Sequence, residues 1–172
     1  MLERDTFMVR RIPGWRGVTL EVRDAAGELL GRVGEVVGRG TALLRLILGR
    51  RTLPSCLVLR ETLDDSLLAT VEHLGNLVRT RVDVNDAQGD IVGSFVPSAV
   101  GPFALRDREE LRIAWVDTPA LPSRFLDVTQ DHELGRAGQE GDFLIIRLSP
   151  KLADRPLTKL LLLATSLWLY EK

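Results

Sequence analysis

Apolar and polar residues alternate with a period of two through most of the first 150 positions. Val18, Leu20 and Val22 alternate with Thr19, Glu21 and Arg23, and Leu67, Ala69 and Val71 repeat the pattern, with His73 continuing that face. Val82 and Val84 do the same, and Leu111, Ile113 and Trp115 read as the apolar face of a further strand. Turn signals separate these runs: Asp24-Ala25-Ala26-Gly27, Leu63-Asp64-Asp65-Ser66, Asp86-Ala87-Gln88-Gly89 and Gly138-Gln139-Glu140-Gly141. The stretches 97–105 and 118–124 read as loops. Short strands joined by tight turns predict an antiparallel sandwich or barrel.

The pattern changes after Pro156. From Leu157 to Tyr170 the residues Leu160, Leu161, Leu162, Leu163, Ala164, Leu167, Trp168 and Leu169 leave almost no polar face. Leu, Ala and Lys favour helix, and proline fits a first helical turn. Such a helix would be roughly 20 Å long, short of a bilayer's hydrocarbon thickness. A helix apolar on nearly every side must be enclosed, and the enclosure at hand is the sheet that precedes it. A second apolar cluster, Ala42 to Leu48, reads either as a short helix capped by Thr41 and ended by Gly49 or as a strand.

One segment recurs. Val22-Arg23-Asp24-Ala25-Ala26-Gly27-Glu28-Leu29-Leu30-Gly31 aligns without gaps on Val84-Asn85-Asp86-Ala87-Gln88-Gly89-Asp90-Ile91-Val92-Gly93. Each copy predicts a hairpin in which the Asp carboxylate accepts a backbone hydrogen bond and the Gly takes positive φ. A degenerate third copy, lacking the turn glycine, is expected from Val128 through Leu134-Gly135.

With its paired Asp-Ala-x-Gly hairpins and apolar end, the chain resembles the phospholipid-scramblase-related and LURP-one-related proteins of the tubby C-terminal-like superfamily. The opening Met1-Leu2-Glu3-Arg4-Asp5-Thr6-Phe7-Met8-Val9-Arg10 is similar to the start of bacterial members. Asp142-Phe143-Leu144-Ile145-Ile146-Arg147-Leu148 followed by Pro156-Leu157-Thr158-Lys159-Leu160-Leu161-Leu162-Leu163-Ala164 resembles the family's last strand and central helix. The resemblance implies one domain over residues 1–172: a closed, mainly β barrel of about twelve antiparallel strands around the C-terminal helix. Closure removes sheet edges and buries the helix, so elementary physics favours the same arrangement. The resemblance stops at chemistry. Of the calcium-associated acidic stretch of animal scramblases only Asp142 and Asp154 are present, against six to eight oxygens for calcium, and their palmitoylated cysteine cluster has no counterpart.

Charge and chemistry narrow the function. The 172 residues carry 23 Lys plus Arg and 24 Asp plus Glu, a net charge of −1, which gives no bulk attraction to nucleic acid. Cys56 is the sole cysteine, so no internal disulfide, Cys-based zinc site or CxxC pair exists. The charged start lacks the apolar run of a secretory leader. The longest uncharged run, Ile91 to Leu105, is interrupted by Pro97 and Pro102, so no membrane-spanning helix is expected.

Catalytic signatures are missing. There is no Gly-x-Ser-x-Gly, and His73 and His132 have no companion motif. Gly38-Arg39-Gly40 places Leu43 where a dinucleotide fingerprint needs glycine, and no Lys precedes Thr41 as a phosphate loop would require. No cofactor and no metal is expected.

Two basic patches stand out. Arg45, Arg50 and Arg51 flank the apolar cluster and are the candidate residues for lipid head groups, each contributing about 1 kcal/mol at an anionic surface. Arg10, Arg11 and Arg16 surround Pro13-Gly14-Trp15, and indoles favour membrane interfaces. The expectation is a non-enzymatic binding or structural domain, cytoplasmic or peripheral at the inner membrane surface, that meets an anionic lipid or a protein partner. One alternative is a scramblase-like or lipid-transfer activity using the C-terminal helix. The other is an enzyme with a carboxylate and arginine pocket.

Overall fold

A computed structural model describes residues 1–13, 18–36, 55–74, 81–98 and 100–171. These form twelve strands: β1 (Thr6–Ile12), β2 (Thr19–Arg23), β3 (Leu29–Val36), β4 (Ser55–Glu61), β5 (Leu67–Leu74), β6 (Arg81–Asp86), β7 (Ile91–Phe95), β8 (Phe103–Asp107), β9 (Arg112–Val116), β10 (Ser123–Leu126), β11 (Glu133–Glu140) and β12 (Phe143–Leu148). Each pairs antiparallel with its neighbours in sequence, and β1 pairs with β12 to close the barrel. Helix α1 (Pro156–Glu171) follows. The loops expected at 97–105 and 118–124 are shorter than that, because β8 begins at Phe103 and β10 at Ser123. The turn expected at 138–141 is likewise smaller, with β11 continuing to Glu140.

The alternation works as the period of two requires. Val9, Leu20, Val22, Val33, Leu59, Val71, Val82, Val84, Leu105, Phe125, Leu144 and Ile146 face inward and are buried, and they pack around α1. On the helix every residue from Lys159 to Leu169 is buried. Strand β9 corrects the expectation made for it. Ala114 and Val116 are the buried pair, while Leu111 is exposed and Trp115 lies outside under the Arg112 guanidinium, 4.3 Å from its ring centre. Ile113 is half-buried and packs against the core.

The hairpins at one end share a construction. Asp24, Asp86 and Asp107 each receive a hydrogen bond on Oδ1 from the backbone N–H groups two and four residues on, all at 2.9 Å. In each, the residue three positions on closes the turn through its N–H onto the Asp carbonyl. That residue has positive φ: Gly27 at 85°, Gly89 at 88° and Glu110 at 61°. The third copy expected from Val128 begins one residue earlier, at Asp127, with Gln130 at φ 64° in the glycine's place. A fourth, at Asp107, has no glycine to reveal it. The strand pair leading into each of these turns carries a β-bulge, at Val22/Arg23, Val84/Asn85, Leu105/Arg106 and Phe125/Leu126.

The barrel has two distinct ends. Helix α1 enters at the end bearing these turns, beside the N-terminal residues. There Lys159, 2% exposed, donates from Nζ to the carbonyls of Leu2 at 3.0 Å and Arg4 at 3.1 Å. Its Nζ also lies 2.6 Å from Asp5 Oδ1, an ionic contact without hydrogen-bond alignment. The helix ends at the opposite mouth, where the Tyr170 hydroxyl donates to the Asp142 carbonyl at 3.3 Å.

Candidate functional site

The mouth at the helix C-terminus holds the candidate surface. Residue 11 continues the inward face of Phe7 and Val9, but β1 leaves the core there, so Arg11 reaches over the end of the helix. Its Nη2 donates to Glu171 Oε1 at 2.8 Å and its guanidinium lies 6.0 Å from the Tyr170 ring centre. The last turn of α1 contains no basic residue of its own, so Arg11 supplies the cation that the helix's negative end favours. Arg10 points to the outer face, 5.8 Å from the Phe143 ring centre. Together with Pro13, Pro119, Ala120, Leu121, Gln139, Asp142 and Leu169 these side chains bound an open cleft of about 700 Å³.

A second cleft, of about 550 Å³, lies across the Leu121 and Gln139 wall of the first. Asp117 organises its edge. Its carboxylate accepts from the Arg124 N–H and Nε, both at 2.8 Å, and from the Ser123 hydroxyl at 3.4 Å. Partial burial pushes the Asp117 carboxyl up, but the Arg124 hydrogen bonds and charge, with Ser123, outweigh it and hold the group below its ordinary value.

The residues singled out from sequence fall in several places. Arg45, Arg50 and Arg51 lie outside the described residues, as do Trp15, Arg16, the cluster Ala42 to Leu48 and Gly38-Arg39-Gly40. Arg10 and Arg11 are at the helix C-terminal mouth. His73 is buried on the inner wall, its ring centre 6.4 Å from that of Trp168. His132 sits in an exposed turn at the other end, so the fold does not bring the two imidazoles together. Burial, reinforced by the Glu72 charge, pushes the Cys56 thiol up and leaves it a poor nucleophile. Among the described residues no three His, Cys, Asp or Glu side chains gather as a metal site. No helix there is long and apolar enough to cross a membrane.

Sequence reasoning missed Lys159 as a buried charge and missed the second cleft. Strand register brings the cleft's arginines together, and no local motif reports register.

No family model matches the chain, and no curated protein matches it. Among solved structures, the X-ray structure of a protein from Arabidopsis thaliana matches with a TM-score of 0.58 over 94% of this chain and 91% of that one. The two sequences are 13% identical, so the likeness is one of fold.

Proposed function

We propose that the chain is a non-enzymatic binding domain of the scramblase-related, LURP-one-related and tubby-like class, whose helix C-terminal end meets an anionic membrane surface at the inner leaflet. The supporting observation is the charge difference between the two ends. The turns 24–28, 62–66, 86–90, 107–111 and 127–132 lie at the helix N-terminal end. They carry Asp24, Glu28, Asp64, Asp65, Asp86, Asp90, Asp107, Glu109, Glu110, Asp127 and Asp131 against a single basic residue, Arg108. The strands are joined at their other ends by six connections, 13–18, 37–54, 75–80, 96–102, 117–122 and 141–142. Read as sequence, these contain Arg16, Arg39, Arg45, Arg50, Arg51 and Arg79 against two carboxylates, Asp117 and Asp142, with Trp15, Leu43, Leu44, Leu46, Ile47 and Leu48 among them. Connections rich in arginine and apolar residues between one set of strand ends, with carboxylate-rich turns between the other, suit docking on a negatively charged interface in one orientation. A lumen packed with leucines supports binding at the rim over catalysis in the interior.

The alternative in which α1 leaves the barrel for a bilayer is disfavoured by the same packing. Withdrawal would strip water-excluded contacts from eleven consecutive residues and break the Lys159 bonds. Co-sedimentation with vesicles tests the reading. Anionic vesicles at low salt should retain the protein, neutral ones should not, and replacing Arg45, Arg50 and Arg51 by Glu should abolish retention. Absence of binding to anionic vesicles would refute the lipid claim.

A further inference from the structure

The outer wall over β8, β9 and β10 is apolar at its centre. Trp115 on β9 is directly opposite Ala104 on β8 and Leu126 on β10. All three are half-buried on the outside of the barrel, while their sequence neighbours Leu105, Val116 and Phe125 fill the inside. Val96 follows Phe95, the partner of Leu105, and extends the apolar row; it is 53% exposed. Adjacent strands are about 4.8 Å apart, so Ala104 to Leu126 spans roughly 10 Å.

Two exposed arginines stand beside this row. Arg106 on β8 is directly opposite Arg112 on β9, and like charges so placed oppose strand pairing unless something offsets them. Arg106 donates to the Glu110 carbonyl at 2.9 Å, and the Arg112 guanidinium lies 4.3 Å from the Trp115 ring centre. Neither has a carboxylate partner among the described residues. The other directly opposed pair, Arg32 and Arg60, is compensated, with Glu21 opposite Arg32 and Asp65 beside Arg60. Stacking on the indole restrains the Arg112 guanidinium and leaves its N–H donors unused.

From this geometry we propose that the Trp115 face docks an acidic amphipathic helix of a protein partner. Tryptophan and arginine dominate binding where an apolar centre excludes water. A helix laid across the strands matches the row, because residues i, i+4 and i+7 share one face and span about 10.5 Å. Its apolar side chains then fall over Ala104, Trp115 and Leu126 in turn. Carboxylates on the flank of that helix meet Arg106 and Arg112 and supply the charge the wall lacks. A second copy of the chain suits the face poorly, since a two-fold pairing would bring four uncompensated arginines together. The face lies on the side of the barrel, so the inference does not depend on the membrane reading.

Fluorescence anisotropy on the full chain tests the proposal with two labelled helical peptides of about four turns. Both carry Leu at i, i+4 and i+7; one has Glu at the flanking positions and the other has Lys. The Glu peptide is expected to bind at least tenfold more tightly than the Lys peptide. Trp115→Ala should weaken the Glu peptide at least tenfold, and Arg32→Glu should leave it within twofold of the parent. The double variant Arg106→Glu with Arg112→Glu should reverse the preference and take the Lys peptide, a gain that misfolding cannot produce. Thermal melts verify that each variant is folded. No binding of the Glu peptide, or binding that Trp115→Ala leaves unchanged, would overturn the assignment. So would equal affinity for the two peptides. Sedimentation of the chain alone supplies the remaining check: a dimer that Trp115→Ala dissolves would give the face to a second copy and overturn the proposal as well.

Discussion

At the scale of single residues, Lys159 is where the chain takes its largest electrostatic risk. An ammonium group removed from water is tolerated only when it is hydrogen-bonded and its charge is offset, and here two carbonyls accept from it while the Asp5 carboxylate supplies the counter-charge. Replacing it with Met keeps the volume but orphans the Leu2 and Arg4 carbonyls and leaves Asp5 without its counter-ion. Lys159→Met should destabilise the fold by about 2–3 kcal/mol, read as a lower urea midpoint with an unchanged m-value. Nothing in the sequence marks this lysine. It follows Pro156 by three positions in an apolar run, where a charged side chain is ordinarily taken to reach solvent. Its burial depends on residues more than 150 positions earlier folding over the mouth. Arg10 and Arg11, by contrast, were legible as candidates because the local mixture of Arg, Pro and Trp is itself the signal.

At the scale of elements, the hairpin repeat was half visible. Two copies could be read because Gly27 and Gly89 advertise their backbone conformation. The copies at Asp107 and Asp127 were obscured because Glu110 and Gln130 occupy the same left-handed region without glycine. That difference makes a paired prediction. Gly27→Ala should lose about 1 kcal/mol, whereas Gln130→Gly should gain up to about 1 kcal/mol by relieving strain, both measured by chemical denaturation. The glycines after the turns act through space instead. A Cβ on Gly93 would approach the Arg106 carbonyl to 2.4 Å and Leu161 Cδ2 to 2.8 Å, so this strand must lack a side chain where it passes the helix. The face of β9 was misread because alternation alone says which residues share a side and not which side is inward.

At the scale of the whole molecule, the enclosed helix should be the most protected part of the chain. Amides from Leu160 to Leu169 are expected to exchange only through global unfolding, at rates matching the stability from denaturation. Acid should act mainly on the surface carboxylates. Hydrogen bonds from the Ser66 hydroxyl and N–H hold Asp64 below its ordinary value, and Arg124 does the same for Asp117 against the opposing effect of burial. A carboxyl with a lowered folded pKa stabilises the fold above its unfolded value of about 3.9. That contribution disappears as pH falls through the lowered one. The urea midpoint should therefore hold steady from neutral pH to about 5 and decline below about 4, and Asp117→Asn should flatten the decline. The strands, the helix and its enclosure were legible from sequence because hydrophobic pattern and length decide them, whereas that pattern left sandwich and barrel open and the resemblance implied closure with about twelve strands. The clefts were not, because they are made by register and by the loop 117–122.

The order of the elements also bears on biosynthesis. Strand β1 finds its last partner only in β12, and the helix that fills the lumen follows every strand that surrounds it. A nascent chain emerging from the ribosome therefore carries leucine- and valine-rich strands without the helix they surround until α1 has cleared the exit tunnel. Through that interval it is a client for chaperones, and a product that stops before α1 would aggregate instead of persisting as a smaller folded domain.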